Sequence, residues 1–179
     1  PDRIAAEDNQ TTLTFQTLAN RVDALAAALQ GLAPPSSRIA ICAPNTLEHL
    51  TTILAVLAAG QVWVPLNPRN GKAETDAIVE ATRPAVVIAD ETCRDRFGDT
   101  PSRLIVSRSR GAESVEALTA VHEGQRPQLA TPALSETQAI KFTSGSTGKP
   151  KGVLQPYRSW NACAVALLDA FRFAIDERF

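Results

Sequence analysis

Residues Thr143 to Gly152 read TSGSTGKPKG. Four hydroxyls (Thr143, Ser144, Ser146 and Thr147) alternate with Gly145 and Gly148, and Lys149, Pro150, Lys151 and Gly152 close the stretch. Each hydroxyl is a rotatable donor. Glycine lets the backbone take a positive φ and approach a ligand with no Cβ in the way. Successive backbone N–H groups in such a loop can form an anion-binding nest. Two lysines add positive charge, and Pro150 stiffens the segment between them. Together these features suit a polyphosphate. A hydrogen bond to a charged group contributes about 1.5–3 kcal/mol, so a few decide binding. By composition alone a flexible Ser/Gly-rich surface loop is the commoner outcome. The order of the residues argues for the phosphate site.

Two other phosphate loops do not fit. A Walker A loop, G-x-x-x-x-G-K-[ST], would need glycine at Thr143 and a hydroxyl at Pro150, so it fails at both. The dinucleotide fingerprint G-x-G-x-x-G is absent, because no two glycines lie two apart.

The flanking pattern places the loop. Phe15, Leu18, Ala19, Val22, Leu25, Ala26 and Leu29 recur at helical spacing, with Thr14 as cap and Gly31 as stop. Arg38–Ala43 is a continuous apolar run that reads as a buried strand. A helix begins at Asn45 with Glu48 completing a capping box, and ends at Gly60. Strands follow over Gln61–Leu66, Ala85–Asp90 and Arg103–Ser107, with a helix over Lys72–Ala81 closed by Arg83–Pro84. A short helix is predicted near Val115–Val121. Gln138–Phe142 and Gly152–Leu154 are extended segments on either side of the loop, and Tyr157–Phe171 is a helix. Helices alternating with strands buried on both faces predict an α/β fold, a mostly parallel sheet flanked by helices. The loop is then a tight turn between two extended segments.

Composition narrows the function classes. Apolar residues make up 44% of the 179-residue chain and charged residues 21%, as in ordinary globular proteins. A net charge of -1 and 5% aromatics argue against a nucleic-acid partner. The longest apolar run, Ile53–Ala59, is too short to span a bilayer, so no transmembrane segment is expected. Cys42, Cys93 and Cys163 have no metal-ligand spacing and read as reduced, mostly buried thiols of a cytoplasmic protein. His49 and His122 receive no role, and no metal site is expected on this chain. Trp63 and Trp160 read as core or interface residues. The chain contains no methionine and is expected to be a trimmed piece of a longer one.

Phe142–Val153 resembles the signature loop of the adenylate-forming (AMP-binding) superfamily, which includes acyl-CoA synthetases and the adenylation domains of nonribosomal peptide synthetases. Weaker similarities run through Leu13–Phe15, Arg38–Ile41, Asn45–Glu48 and Gly60–Pro68, so the resemblance covers almost the whole chain. Asn67–Pro68 is more similar to acyl-CoA synthetases. One departure stands after the loop: many relatives carry a Ser-His pair where this chain reads Gln155-Pro156-Tyr157-Arg158.

The resemblance implies residues 1–179 are the partial N-terminal domain of a ligase that joins a small carboxylic acid to ATP with Mg2+, and then passes the acyl group to coenzyme A. A peptide-synthetase adenylation domain and a non-catalytic module of the same fold stay open as alternatives. By the same resemblance Thr143, Ser144, Gly145, Ser146, Thr147, Gly148 and Lys151 hold the ATP phosphates, with Lys151 as phosphate partner or loop tether. Lys149 divides between phosphate contact and solvated charge. The catalytic residues are expected in a C-terminal part, so these 179 residues alone are expected to be inactive. Apolar surface meant for that part would favour self-association.

Overall fold

The computed structural model describes residues 1–9, 11–100, 102–128, 131–143 and 150–172. It opens with a small antiparallel hairpin, β1 (Ile4–Glu7) and β2 (Thr12–Thr14). Asp8 closes the turn, its carboxylate accepting the Thr11 amide at 2.8 Å.

Helix α1 (Phe15–Leu32) starts where the sequence predicts, with the Thr14 hydroxyl accepting the Thr17 amide. It runs through Gly31 and ends at Ala33, because Pro34 has no N–H to continue the ladder. The end is tied down from afar. The buried side chain of Gln61 donates to Leu29 O at 3.0 Å, which also accepts the Ala33 amide, and to Ala33 O at 2.8 Å, a carbonyl past the last helical turn.

Strand β3 (Arg38–Cys42) leads to helix α2 (Leu47–Ala58). Its cap is Thr46, one residue later than the capping box predicts: the Thr46 hydroxyl takes the His49 amide at 3.1 Å. Glu48 stays in the first turn, where its charge complements the helix dipole. At the other end Gly60 adopts φ 70, and the Gly60 and Gln61 amides return to Leu57 O and Val56 O. This left-handed closure explains why glycine stops the helix there.

Strand β4 (Val62–Leu66), helix α3 (Lys72–Thr82) and strand β5 (Val86–Asp90) follow. A 3₁₀ helix (Glu91–Phe97) leads to strand β6 (Arg103–Ser107) and helix α4 (Val115–Val121). Strands β7 (Thr137–Thr143) and β8 (Lys151–Pro156) and helix α5 (Tyr157–Phe171) complete the described elements.

Apart from the β1–β2 hairpin, the strands form one six-stranded sheet in the order β6-β5-β3-β4-β7-β8. Pairings are parallel except β7 with β8. This is the predicted α/β architecture. Its two cores lie on opposite faces. On one, Leu25 and Leu29 of α1, Ala55 and Val56 of α2 and Val115 of α4 pack on Ile39, Ile41, Ile88 and Ile105. On the other, Ile78 of α3 and Cys93 and Phe97 of the 3₁₀ helix pack on Ala40, Val64 and Val87. Each fully buried Leu or Ile contributes about 1.5–3 kcal/mol. Helix α5 differs. None of its residues is buried, and Val165, Leu167, Leu168 and Phe171 are exposed.

Candidate functional site

Strands β7 and β8 form the hairpin that carries TSGSTGKPKG. Their antiparallel register sets Ile140 opposite Leu154, Lys141 opposite Val153, Phe142 opposite Gly152 and Thr143 opposite Lys151. The predicted pair of extended segments on either side of the loop is therefore present. Ser144, Gly145, Ser146, Thr147, Gly148 and Lys149 lie outside the described residues. Of the predicted phosphate-binding residues the structure places Thr143 and Lys151, facing each other on the last described rung and both exposed. Lys151 makes no hydrogen bond or ion pair among the described residues.

Gly152 has another reason than the predicted positive φ. A Cβ there would lie 3.0 Å from the Phe142 ring and 3.4 Å from Ile140. The missing side chain makes room for Phe142, which packs towards the α3-side core. Alternation then puts Lys141, Thr143, Lys151 and Val153 on the other face of the hairpin.

On that face Lys141 meets both tryptophans of the chain. Its Nζ lies 4.5 Å from the centre of the Trp160 ring and 5.4 Å from that of Trp63. The two rings are 6.3 Å apart and tilted by 60°. A cation over indole faces contributes about 0.5–2 kcal/mol. The cluster joins β4, β7 and the first turn of α5, so it braces the hairpin on the strand that enters it and the helix that follows it. Sequence reasoning placed the tryptophans in a core or interface, which fits. It had no signal for Lys141, whose partners come from elements distant in the chain.

Tyr157 opens α5. Its amide donates to Glu136 O at 3.1 Å, and Arg158 N donates to Leu134 O at 2.9 Å. Burial, then the charge of Glu136, pushes the Tyr157 hydroxyl above its usual range, so it is protonated at neutral pH.

At the C-terminal ends of β5 and β6 stands a second polar group. Asp90, 1% exposed, accepts Arg108 Nε at 2.6 Å and Nη2 at 2.9 Å, together with the Thr92 amide and hydroxyl. Burial pushes its carboxyl up, but the bonds from Arg108 and Thr92 outweigh that and hold it below the usual carboxylate range. Nearby Cys42 is buried against Cys93, and burial pushes its thiol up to about 12, so it is an inert thiol. Cys163, expected to be buried, is exposed on α5. His49 is neutral, its imidazole held below the ordinary value by burial despite a hydrogen bond to Pro44. Among the described residues no three His, Cys, Asp or Glu side chains are grouped to hold a metal. No described helix is long and apolar enough to cross a membrane.

This sheet and its glycine-rich hairpin define an adenylate-forming enzyme domain, and the chain belongs to the AMP-binding enzyme family, whose model matches residues 1–178. A hybrid PKS-NRPS synthetase, fsa1 of Fusarium sp. (strain FN080326), is 31% identical over 183 residues, covering 99% of this chain and 4% of that protein. ATP-bound MatB from Rhodopseudomonas palustris superposes with a TM-score of 0.80 at 25% identity, covering 93% of this chain and 34% of its own. The N-terminal subdomain of Klebsiella oxytoca NpsA, in complex with 3-hydroxybenzoyl-AMSN, gives a TM-score of 0.71 at 27% identity, covering 88% of this chain and 38% of its own. The chain thus spans a small part of the relatives it matches.

Proposed function

We propose that residues 1–179 form part of the N-terminal domain of an ATP-dependent, carboxylate-activating ligase, and that the β7–β8 hairpin holds the ATP phosphates. The observation that carries this reading is the pairing of Thr143 with Lys151 at the mouth of a loop of glycines and hydroxyls. A hydroxyl donor and an ammonium with no ion pair among the described residues share one rung, and the sequence between them is rich in further donors. That donor set suits a polyphosphate.

In the reaction so proposed, an oxygen of the carboxylate attacks the α-phosphorus of ATP. The bond to the bridging oxygen breaks, and pyrophosphate leaves with the electron pair, giving the acyl-adenylate. Negative charge grows on the departing group. Thr143, Ser144, Gly145, Ser146, Thr147, Gly148 and Lys151 would meet that charge with fixed donors, an arrangement that favours the transition state over the ground state. Mg2+ would share the charge.

The acceptor of the acyl group divides two readings. A coenzyme A thiol is supported by Asn67–Pro68, which is more similar to acyl-CoA synthetases. A carrier-protein thiol, as in a peptide-synthetase adenylation domain, is supported by the likeness to the fsa1 synthetase. The protein that carries this chain with the rest of the adenylate-forming fold is assayed for ATP–pyrophosphate exchange over a panel of acids, then for acyl transfer to coenzyme A. Exchange with coenzyme A thioester formation supports the first reading, and exchange without it supports the second. No exchange with any acid would count against carboxylate activation.

A further inference from the structure

Strand β7 carries the hairpin, yet its backbone is joined to the parallel sheet over a short stretch. Strands β3 and β4 pair from Arg38–Val62 through Cys42–Leu66. Between β4 and β7 a single rung is registered, Trp63 with Ala139. A proline accounts for the difference. The Val62 amide donates to Ser37 O, on the β3 side, at 2.8 Å, so alternation turns the amides of odd-numbered β4 residues towards β7. Trp63 can donate there. Pro65, the next in line, has no N–H, and the ladder stops.

Lys141, Phe142 and Thr143 lie beyond that rung and lead into the loop. Their registered partners are in β8, which is the edge strand, so those bonds tie the hairpin only to itself. Side chains hold this stretch to the rest of the fold. On the α3 face Ile140 and Phe142 pack on the core. On the other face the Lys141 ammonium lies over the Trp63 and Trp160 rings. Both rings are held from outside β7 and β8. Trp63 is registered beside Ile39 in the parallel sheet. Trp160 stands in the first turn of α5, whose Tyr157 and Arg158 amides are tied to Glu136 O and Leu134 O. Thr143, two residues beyond Lys141 and on the same face, is opposite Lys151.

We infer, on the reading that the hairpin holds the ATP phosphates, that Lys141 is a positioning residue for it. Its ammonium, bound to two anchored indoles, fixes the Thr143–Lys151 rung where Pro65 ends the backbone ladder. Lys141 then acts through the loop and not on the substrate.

The test is ATP–pyrophosphate exchange by the protein that carries the rest of the adenylate-forming fold, with the acid of the panel that gives the fastest exchange. ATP is varied at saturating acid, and acid at saturating ATP. Lys141→Met should raise the KM for ATP about threefold to tenfold and leave the KM for the acid within about twofold. Lys141→Arg keeps a cation over the rings and should hold the KM for ATP within about twofold of the unaltered protein. Trp160→Leu leaves the ammonium in place and should also raise the KM for ATP, and the double variant with Lys141→Met should be no worse than the worse single one. A loss of thermal stability with no change in the KM for ATP would make Lys141 a structural brace only and overturn the inference. A rise in the KM for the acid instead, or strictly additive effects of Lys141→Met and Trp160→Leu, would do the same. Should Lys141→Met not fold, Trp160→Leu alone carries the comparison. Lys151→Ala, run in parallel, keeps the two readings apart. Unchanged exchange by that variant would overturn the phosphate role of the hairpin and this inference with it. A loss there, with an unchanged KM for ATP in Lys141→Met, would overturn this inference alone.

Discussion

Phe142 and Gly152 face each other across the β7–β8 ladder, and the Phe142 ring occupies the space that a side chain on residue 152 would need. A residue with a side chain at 152 would meet the ring at 3.0 Å in this register. With Phe142 turned to the α3 side, Thr143 and Lys151 close the loop from the other side.

Gly152→Ala should therefore destabilise the protein, by about 1–2 kcal/mol, because a Cβ 3.0 Å from the ring forces Phe142 to move. Phe142→Leu in the same chain should recover part of that loss. Urea unfolding of the two single variants and the double variant measures the coupling. Strictly additive effects would show that the ring does not set the requirement for glycine.

The Asp90–Arg108 pair predicts how stability depends on acid. The Asp90 carboxyl sits below its unfolded value of about 3.9, so its contribution is complete above that pH. It is lost as the pH falls through the lower, folded value. Asp90→Asn should cost about 1–2 kcal/mol at neutral pH, a figure kept low because the Arg108 side chain is 42% exposed. The variant should also lose less stability than the wild type between about pH 4 and pH 2. Thermal melts across that range provide the check, and parallel acid limbs would contradict it.

Helix α5 presents Val165, Leu167, Leu168 and Phe171 to solvent, and β8 adds Val153 and Leu154. Apolar surface of this kind seeks a cover. The 179-residue chain should self-associate in a concentration-dependent manner, and Val165→Glu with Leu168→Glu should shift it towards monomer. Light scattering after size exclusion reads the mass directly. A monomer at all concentrations, with or without the substitutions, would show that these residues drive no association.

Much of this fold was legible because its period was. The run from Arg38 to Cys42 and the spacing of Leu25 and Leu29 are direct consequences of burial, and burial writes itself into residue type. Boundaries followed finer chemistry. Gly31 has the residue type of a helix stop but meets nothing within 4 Å, and the stop is Pro34. Thr46 rather than Asn45 caps α2, since both are good caps and only backbone geometry chooses between them. The β1–β2 hairpin is too short for a period to emerge, and Asp8–Asn9 was its one available signal. At the site, the loop was legible as a run of residues and its flanks as extended segments. The Lys141–Trp63–Trp160 cluster was not, because its members come from three elements and no local pattern links them. Nor was the exposure of Cys163, since α5 has an apolar sequence without a buried face here.

The hairpin's part in holding phosphate is tested most directly by Lys151→Ala in the protein that carries the rest of the adenylate-forming fold, assayed for carboxylate-dependent ATP–pyrophosphate exchange. The expected result is a loss of about tenfold or more, equal to about 1.4 kcal/mol of transition-state stabilisation, with folding intact. Exchange at the wild-type rate by the folded variant would contradict it.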